Sequence, residues 1–133
     1  MADIRVLIVD DREQVRQDLR LFLTLTGGIE IVGEASNGFE AVCLAERLRP
    51  QVVLMDLEMP ILDGYEATRQ IKALQPSCRV IALTIHVEET EQQKARQAGM
   101  DEFVIKGAPM ETLMQAIYSA PILGQMPKGE KDE

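Results

Sequence analysis

The sequence predicts an α/β domain, a doubly wound parallel sheet of five strands with helices on both faces, three layers deep. Three observations carry that prediction. Short apolar, β-branched runs alternate with longer segments whose apolar residues recur at helical spacing. The short runs carry consecutive apolar residues, VLIV, VVLM and VIAL among them, as strands covered on both faces do. Gly or Pro punctuates the junctions, at Gly27–Gly28, Pro50, Pro76, Gly99 and Pro109.

The first strand is IRVLIV (4–9). Behind it Val15, Leu19, Phe22 and Leu23 keep helical spacing until Gly27–Gly28 stops the helix. IEIVGEA (29–35) is the second strand. Asn37 with Glu40 three residues on forms a variant capping box. It opens a helix with Ala41, Leu44, Ala45 and Leu48 on its apolar face, closed by Pro50. VVLM (52–55) is the third strand, and the helix after it starts near Asp63, turns Ala67, Thr68, Ile71 and Leu74 inward and ends before Pro76. RVIALT (79–84) is the fourth strand. Residues 87–98 read as a helix closed by Gly99, with only Val87, Ala95 and Ala98 apolar. Such a helix buries little and is expected to be the most weakly docked. EFVI (102–105) is the fifth strand. Pro109 fits the first turn of the last helix, whose inward residues are Met110, Leu113, Met114 and Ile117 and which Pro121 ends. The domain is expected over residues 1–120, and PILGQMPKGEKDE (121–133) as a flexible tail or the start of a linker.

Composition narrows the classes. A chain of 133 residues with 46% apolar content suits one domain with a proper core, not a disordered segment. No apolar run approaches the ~18 residues of a membrane span, and MADIRVLIVDD carries acids where a secretion signal needs basic residues. A cytoplasmic protein with no membrane partner is therefore expected. The net charge of −8 argues against a direct grip on nucleic acid. Cys43 and Cys78 lack metal-ligand spacing and read as reduced structural thiols.

A parallel sheet brings all its strand ends to one edge, where ligands bind in open α/β folds. Asp10 and Asp11 follow the first strand, Asp56 follows the third, Thr84 ends the fourth and Lys106 follows the fifth. Singly these are solubilising acids, a helix cap and a solvated lysine. Together they form a crevice in which three carboxylates repel one another and raise a pKa. A hard cation resolves the repulsion, and Mg²⁺ with oxygen ligands is the natural choice. A cation, a carboxylate nucleophile, a hydroxyl and a fixed ammonium are the parts of phosphoryl transfer. His86, two residues beyond Thr84, is expected as a solvated loop residue at the rim.

VLIVDD, VVLMDLEMPILDGYE, VIALT and FVIKGAP, in this order, resemble the receiver domain of two-component response regulators over residues 4 to about 120. The resemblance implies a flavodoxin-like fold with strand order 2-1-3-4-5. It implies Asp56 as the phosphoacceptor, Asp11 as a direct Mg²⁺ ligand, Asp10 as a ligand partly through water, and the backbone carbonyl of Glu58 as a further ligand. Lys106 would pair with one phosphoryl oxygen. Thr84 would bond another and carry the conformational switch, with Phe103 as the switch aromatic. Pro60 and Gly64 would shape the loop after Asp56. Many receivers have proline after the lysine, with a cis peptide; Gly107 stands there instead, and KGAP resembles receivers attached to helix-turn-helix output domains. The implied partners are a sensor histidine kinase and, on phosphorylation, a second copy of the chain. DNA would be reached only through an output domain outside these residues. The resemblance implies a switch rather than a turnover enzyme. A haloacid-dehalogenase-type phosphohydrolase, also Mg²⁺-dependent, would share the Asp, Thr and Lys, but it needs an acid where Glu58 stands that is normally Asp, and a cap domain. A phosphate-independent interaction module would have no use for the intact acid set.

Overall fold

The computed structural model describes residues 3–59, 61–86 and 88–119. Pro60, Val87, Pro121 and the 121–133 segment lie outside the described residues. The elements alternate along the chain: β1 (Ile4–Val9), α1 (Glu13–Thr26), β2 (Ile29–Ala35), α2 (Gly38–Leu48), β3 (Val52–Asp56), α3 (Gly64–Leu74), β4 (Arg79–Thr84), α4 (Glu89–Ala98), β5 (Glu102–Ile105) and α5 (Met110–Tyr118). All strands are parallel, in the order β2-β1-β3-β4-β5. This is the doubly wound, flavodoxin-like architecture that the alternating pattern and the family resemblance implied.

Alternate strand residues divide the core in two. Leu7, Val9, Val53, Met55, Val80 and Ala82 pack with α2, α3 and α4, through Ala41, Ala45, Ala67, Ile71 and Ala95. Val6, Ile8, Val52, Leu54, Ile81, Leu83 and Val104 pack on the other side with Leu23 of α1 and Leu113 and Ile117 of α5. β1, β3 and β4 are thus apolar on both faces because both faces are covered. Burying each Leu or Ile in these layers contributes about 2 kcal/mol.

The helix starts follow local chemistry. Asn37 Oδ1 accepts from Glu40 N at 2.8 Å, but Glu40 Oε1 turns back to Ser36 N at 2.7 Å, so the capping box closes one residue earlier than expected. Asp63 caps α3 in the same way, accepting from Glu66 N at 2.9 Å. Pro109 stands immediately before α5 rather than inside its first turn. Leu74 is 45% exposed and not inward, because Ile71 is the last residue on its helix face to reach the core before α3 ends. As expected, α4 is thinly anchored, with Ala95 and Ala98 its buried residues. It gains a polar link to α3, where the Tyr65 hydroxyl donates to Glu91 Oε1 at 2.5 Å. The described residues contain no cis peptide, so Lys106–Gly107 is trans; Gly107 has φ +94°, which a side chain would strain.

β2 carries an irregularity. Val6 pairs with Ile31 and Leu7 with Gly33, so Val32 is an extra residue forming a bulge.

Candidate phosphoryl-transfer site

The site forms where the strands end. Asp10 remains tied to the sheet after β1 because its N–H donates to Ala35 O at 3.0 Å. Its side chain is buried, and Oδ1 accepts from Arg12 N at 2.9 Å in a tight Asx turn. Asp11, next along, is exposed. Asp56 is the last residue of β3, paired with Leu83 of β4 and 5% exposed. One carboxylate oxygen from each of Asp10, Asp11 and Asp56 lies within 4.8 Å of the others.

Lys106 comes from the far side. Its backbone N–H donates to Thr84 O at 2.7 Å, and its ammonium lies 3.1 Å from Asp10 Oδ2 and 3.4 Å from Asp56 Oδ1. Thr84 is buried, and its hydroxyl oxygen accepts from His86 N at 3.0 Å. Asp56 Oδ1 also accepts from Glu58 N at 3.3 Å. Asp11, Arg12, Asp56, Glu58, Thr84 and Lys106 line an open cleft of about 240 Å³.

The charges do not balance. Burial pushes the Asp56 carboxyl above the usual carboxylate range, and the charge of Asp10 adds to that; Lys106 and the Glu58 N–H oppose it without cancelling it. Three carboxylates meet the Lys106 ammonium and, 3.8 Å from Asp10 Oδ1, the exposed Arg12 guanidinium, so the acids outnumber the cations. Such a donor set suits a hard divalent cation.

The structure therefore brings together Asp10, Asp11, Asp56, Thr84 and Lys106. Glu58 lines the cleft, with its backbone N–H toward Asp56 and its carboxylate in contact with His86. Phe103 is not in the cleft. It is half-buried against the α2–α4 side of the core, and the register places it beside Ala82 while Thr84 pairs with Ile105. Thr84 and Phe103 therefore share one face of the sheet, two residues apart along the strands.

His86 differs from the expected solvated residue. Its Nε2 makes a short contact with Glu58 Oε2, and its Nδ1 lies 3.6 Å from Glu88. The hydrogen bond with Glu58 pushes its pKa upward. The pair joins the β3–α3 loop to the β4–α4 loop beside the cleft that Glu58 lines. Sequence reading also passed over Arg12, at the cleft wall, and Arg16, which donates through Nη1 to the Asp10 carbonyl at 2.7 Å. The adjacency of Arg12 to the acid pair was visible. The reach of Arg16 was not, because it lies on α1 and its carboxylate partner, Glu34, lies on β2.

The family model for the response regulator receiver domain matches residues 6–118. The response regulator protein VraR of Staphylococcus aureus is 40% identical over 114 residues, covering 86% of this chain and 54% of VraR. The chain thus spans about half the length of the curated relatives it matches. A LuxR-family two-component response regulator from an Aurantimonas species superposes with a TM-score of 0.84 at 33% identity, over 89% of this chain and 84% of that one. The response regulator domain of CheB from Thermotoga maritima gives 0.83 at 32% identity, over 89% and 96%. Among the described residues no helix is long and apolar enough to cross a membrane.

Proposed function

Because the chain belongs to the response regulator receiver family, we propose that Asp56 accepts a phosphoryl group from the phosphohistidine of a sensor histidine kinase. The observation that supports this assignment is the convergence of Asp10, Asp11 and Asp56 on the Lys106 ammonium at the strand ends. Asp56 Oδ attacks the phosphorus, the donor's N–P bond breaks, and the electron pair leaves with the imidazole nitrogen. No protein base is needed, since the nucleophile is a carboxylate. Asp10, Asp11, Asp56 and the Glu58 carbonyl would hold Mg²⁺, which when bound supplies positive charge against the phosphoryl oxygens. Lys106 holds a second positive charge there. Thr84 gives up its turn-forming bond from His86 N and donates to the new phosphoryl oxygen.

The consequence is a switch rather than turnover. Withdrawal of the Thr84 hydroxyl toward Asp56 leaves room on the sheet face that Phe103 shares, and α4, β5 and α5 rearrange around it. This face then meets a second copy of the chain or another partner. A DNA-binding response regulator of the LuxR family from Staphylococcus aureus is among the structural relatives, with 29% identity. A transcriptional output through a domain outside residues 1–120, with 121–133 as a flexible tail or the start of a linker, fits that likeness.

The test is intact mass after incubation with acetyl phosphate. Wild type with Mg²⁺ gains about 80 Da, the mass of the added HPO₃. Asp56→Asn, and wild type in excess EDTA, gain nothing. A full adduct on Asp56→Asn, or an undiminished one in EDTA, rules the assignment out.

A further inference from the structure

We propose that Arg16 is a positioning residue for the acidic turn: it fixes the peptide between Asp10 and Asp11 and thereby sets the affinity of the site for a divalent cation. This rests on the reading above, in which the acid cluster binds Mg²⁺.

Arg16 lies in the second turn of α1 with its side chain 16% exposed. Its guanidinium spans two elements. Nη1 donates to the Asp10 carbonyl at 2.7 Å, and Nε donates to Glu34 Oε1 at 3.1 Å. The other oxygen of Glu34 accepts from Arg20 Nε at 2.5 Å, so Glu34 is itself held from α1. Asp10 N, for its part, donates to Ala35 O at 3.0 Å. Both backbone polar groups of Asp10 are thus referred to β2, the N–H directly through Ala35 and the carbonyl through Arg16 and Glu34. The peptide unit is planar. Fixing the Asp10 carbonyl therefore fixes the orientation of the Asp11 N–H and the direction in which the chain leaves toward Asp11. Asp10 and Asp56 are buried in the sheet, whereas Asp11 is exposed and beyond the last strand pairing. Asp11 lies within 4.8 Å of the other two acids, and that peptide plane, with the Asx turn from Asp10 Oδ1 to Arg12 N, sets the path of the chain that carries it there.

The chemistry calls for arginine. Two donors at a fixed angle in one plane hold a carbonyl and a carboxylate at once; a lysine ammonium keeps the charge but not the fork. The sign of the effect separates positioning from simple charge. A nearby cation on its own weakens Mg²⁺ binding, so removing it tightens binding if charge alone matters. Loss of positioning weakens binding.

The experiment is Mg²⁺ titration of the whole chain, followed by amide NMR shifts, with melting temperatures measured in the absence and presence of Mg²⁺. Arg16→Met and Arg16→Lys are both expected to raise the Mg²⁺ dissociation constant about tenfold, the low end for loss of a residue that orients metal ligands. Glu34→Gln is expected to raise it severalfold less. Arg16→Lys binding like wild type, Arg16→Met binding more tightly, or melting temperatures that fall while Mg²⁺ affinity stays constant would each overturn the proposal. Should Arg16→Met fail to fold, Arg16→Lys, which keeps the charge and loses the fork, decides between positioning and charge. A wild-type chain that binds no Mg²⁺ overturns the function reading as well, whereas wild-type binding with indifferent variants overturns the role of Arg16 alone.

Discussion

Lys106 reaches Asp56 across the sheet edge, with Nζ 3.4 Å from Oδ1, yet Asp56 still titrates above an ordinary carboxyl. Burial and the charge of Asp10 outweigh the lysine. A raised folded-state pKa means that the folded chain holds this proton more tightly than the unfolded one. Stability from that source is full below the unfolded value, about 3.9, and is lost as pH rises through the raised value. Asp56→Asn removes the penalty. Without Mg²⁺ at neutral pH it should melt about 4 °C higher than wild type, the shift that ~1 kcal/mol gives a domain of this size. The gain should shrink in acid. A neutral-pH melting point equal to or below wild type contradicts the charge imbalance.

The His86–Glu58 contact ties a residue of the cleft wall, Glu58, to the loop after Thr84, with Glu58 two residues from Asp56 and His86 two from Thr84, the groups that would meet a phosphoryl group. His86→Ala and Glu58→Ala should each speed loss of the phosphoryl group about threefold, and the double variant should be no faster than either single one, since both remove the same bridge. Decay of phosphorylated protein, followed by mass spectrometry, gives the rates. Wild-type decay in both single variants, or multiplying effects in the double, excludes a joint role.

Glu34 shows the opposite pH behaviour. Burial pushes its pKa up, but the hydrogen bonds and charges of Arg20 and Arg16 outweigh this and hold it below the usual range. A lowered folded-state pKa stabilises above the unfolded value and is lost as pH falls through the folded one. Glu34→Gln should therefore cost about 1–2 kcal/mol at neutral pH and progressively less as pH falls below about 4.3. Urea melts across that range measure it, and a pH-independent difference refutes it.

The two cysteines differ in reach. Cys43 is exposed, whereas Cys78 is buried and burial pushes its thiol up to about 11. A thiol reagent at pH 8 should label one site in the folded protein, Cys43, and both in guanidinium. Labelling of Cys78 at the same rate as Cys43 would show that this layer opens freely.

For α4, the bond from Tyr65 to Glu91 supplements Ala95 and Ala98. Tyr65→Phe should raise amide exchange in α4 about fivefold, as loss of ~1 kcal/mol does, with α2 unaffected. Beryllofluoride, which mimics the aspartyl phosphate, should then shift the 84–118 region in wild type and fail to do so in Thr84→Ala.

Most of the fold was legible because β1, β3 and β4 are apolar on both faces, helical spacing marks the segments between them, and α2 and α3 carry their own side-chain caps. The convergence of Asp10, Asp11, Asp56, Thr84 and Lys106 was legible too, since topology alone brings strand ends together. What was not legible depends on side-chain reach. Nothing in the spacing of Arg16 and Glu34, or of Tyr65 and Glu91, shows that they meet, because each pair bridges different elements. The exposure of Leu74 was hidden for another reason: helical periodicity marks a face but not the point at which that face runs out of core.

The bulge at Val32 has a bearing on how the protein behaves in a crowded solution. β2 and β5 are the two margins of the sheet, and a margin with free backbone groups invites a strand from another molecule. On β2 the bulge breaks the repeat that an incoming strand would have to match, and Glu30 and Glu34 add charge on either side of it. β5 is only four residues long and opens with the exposed Glu102. Both margins are thereby poor templates for aggregation.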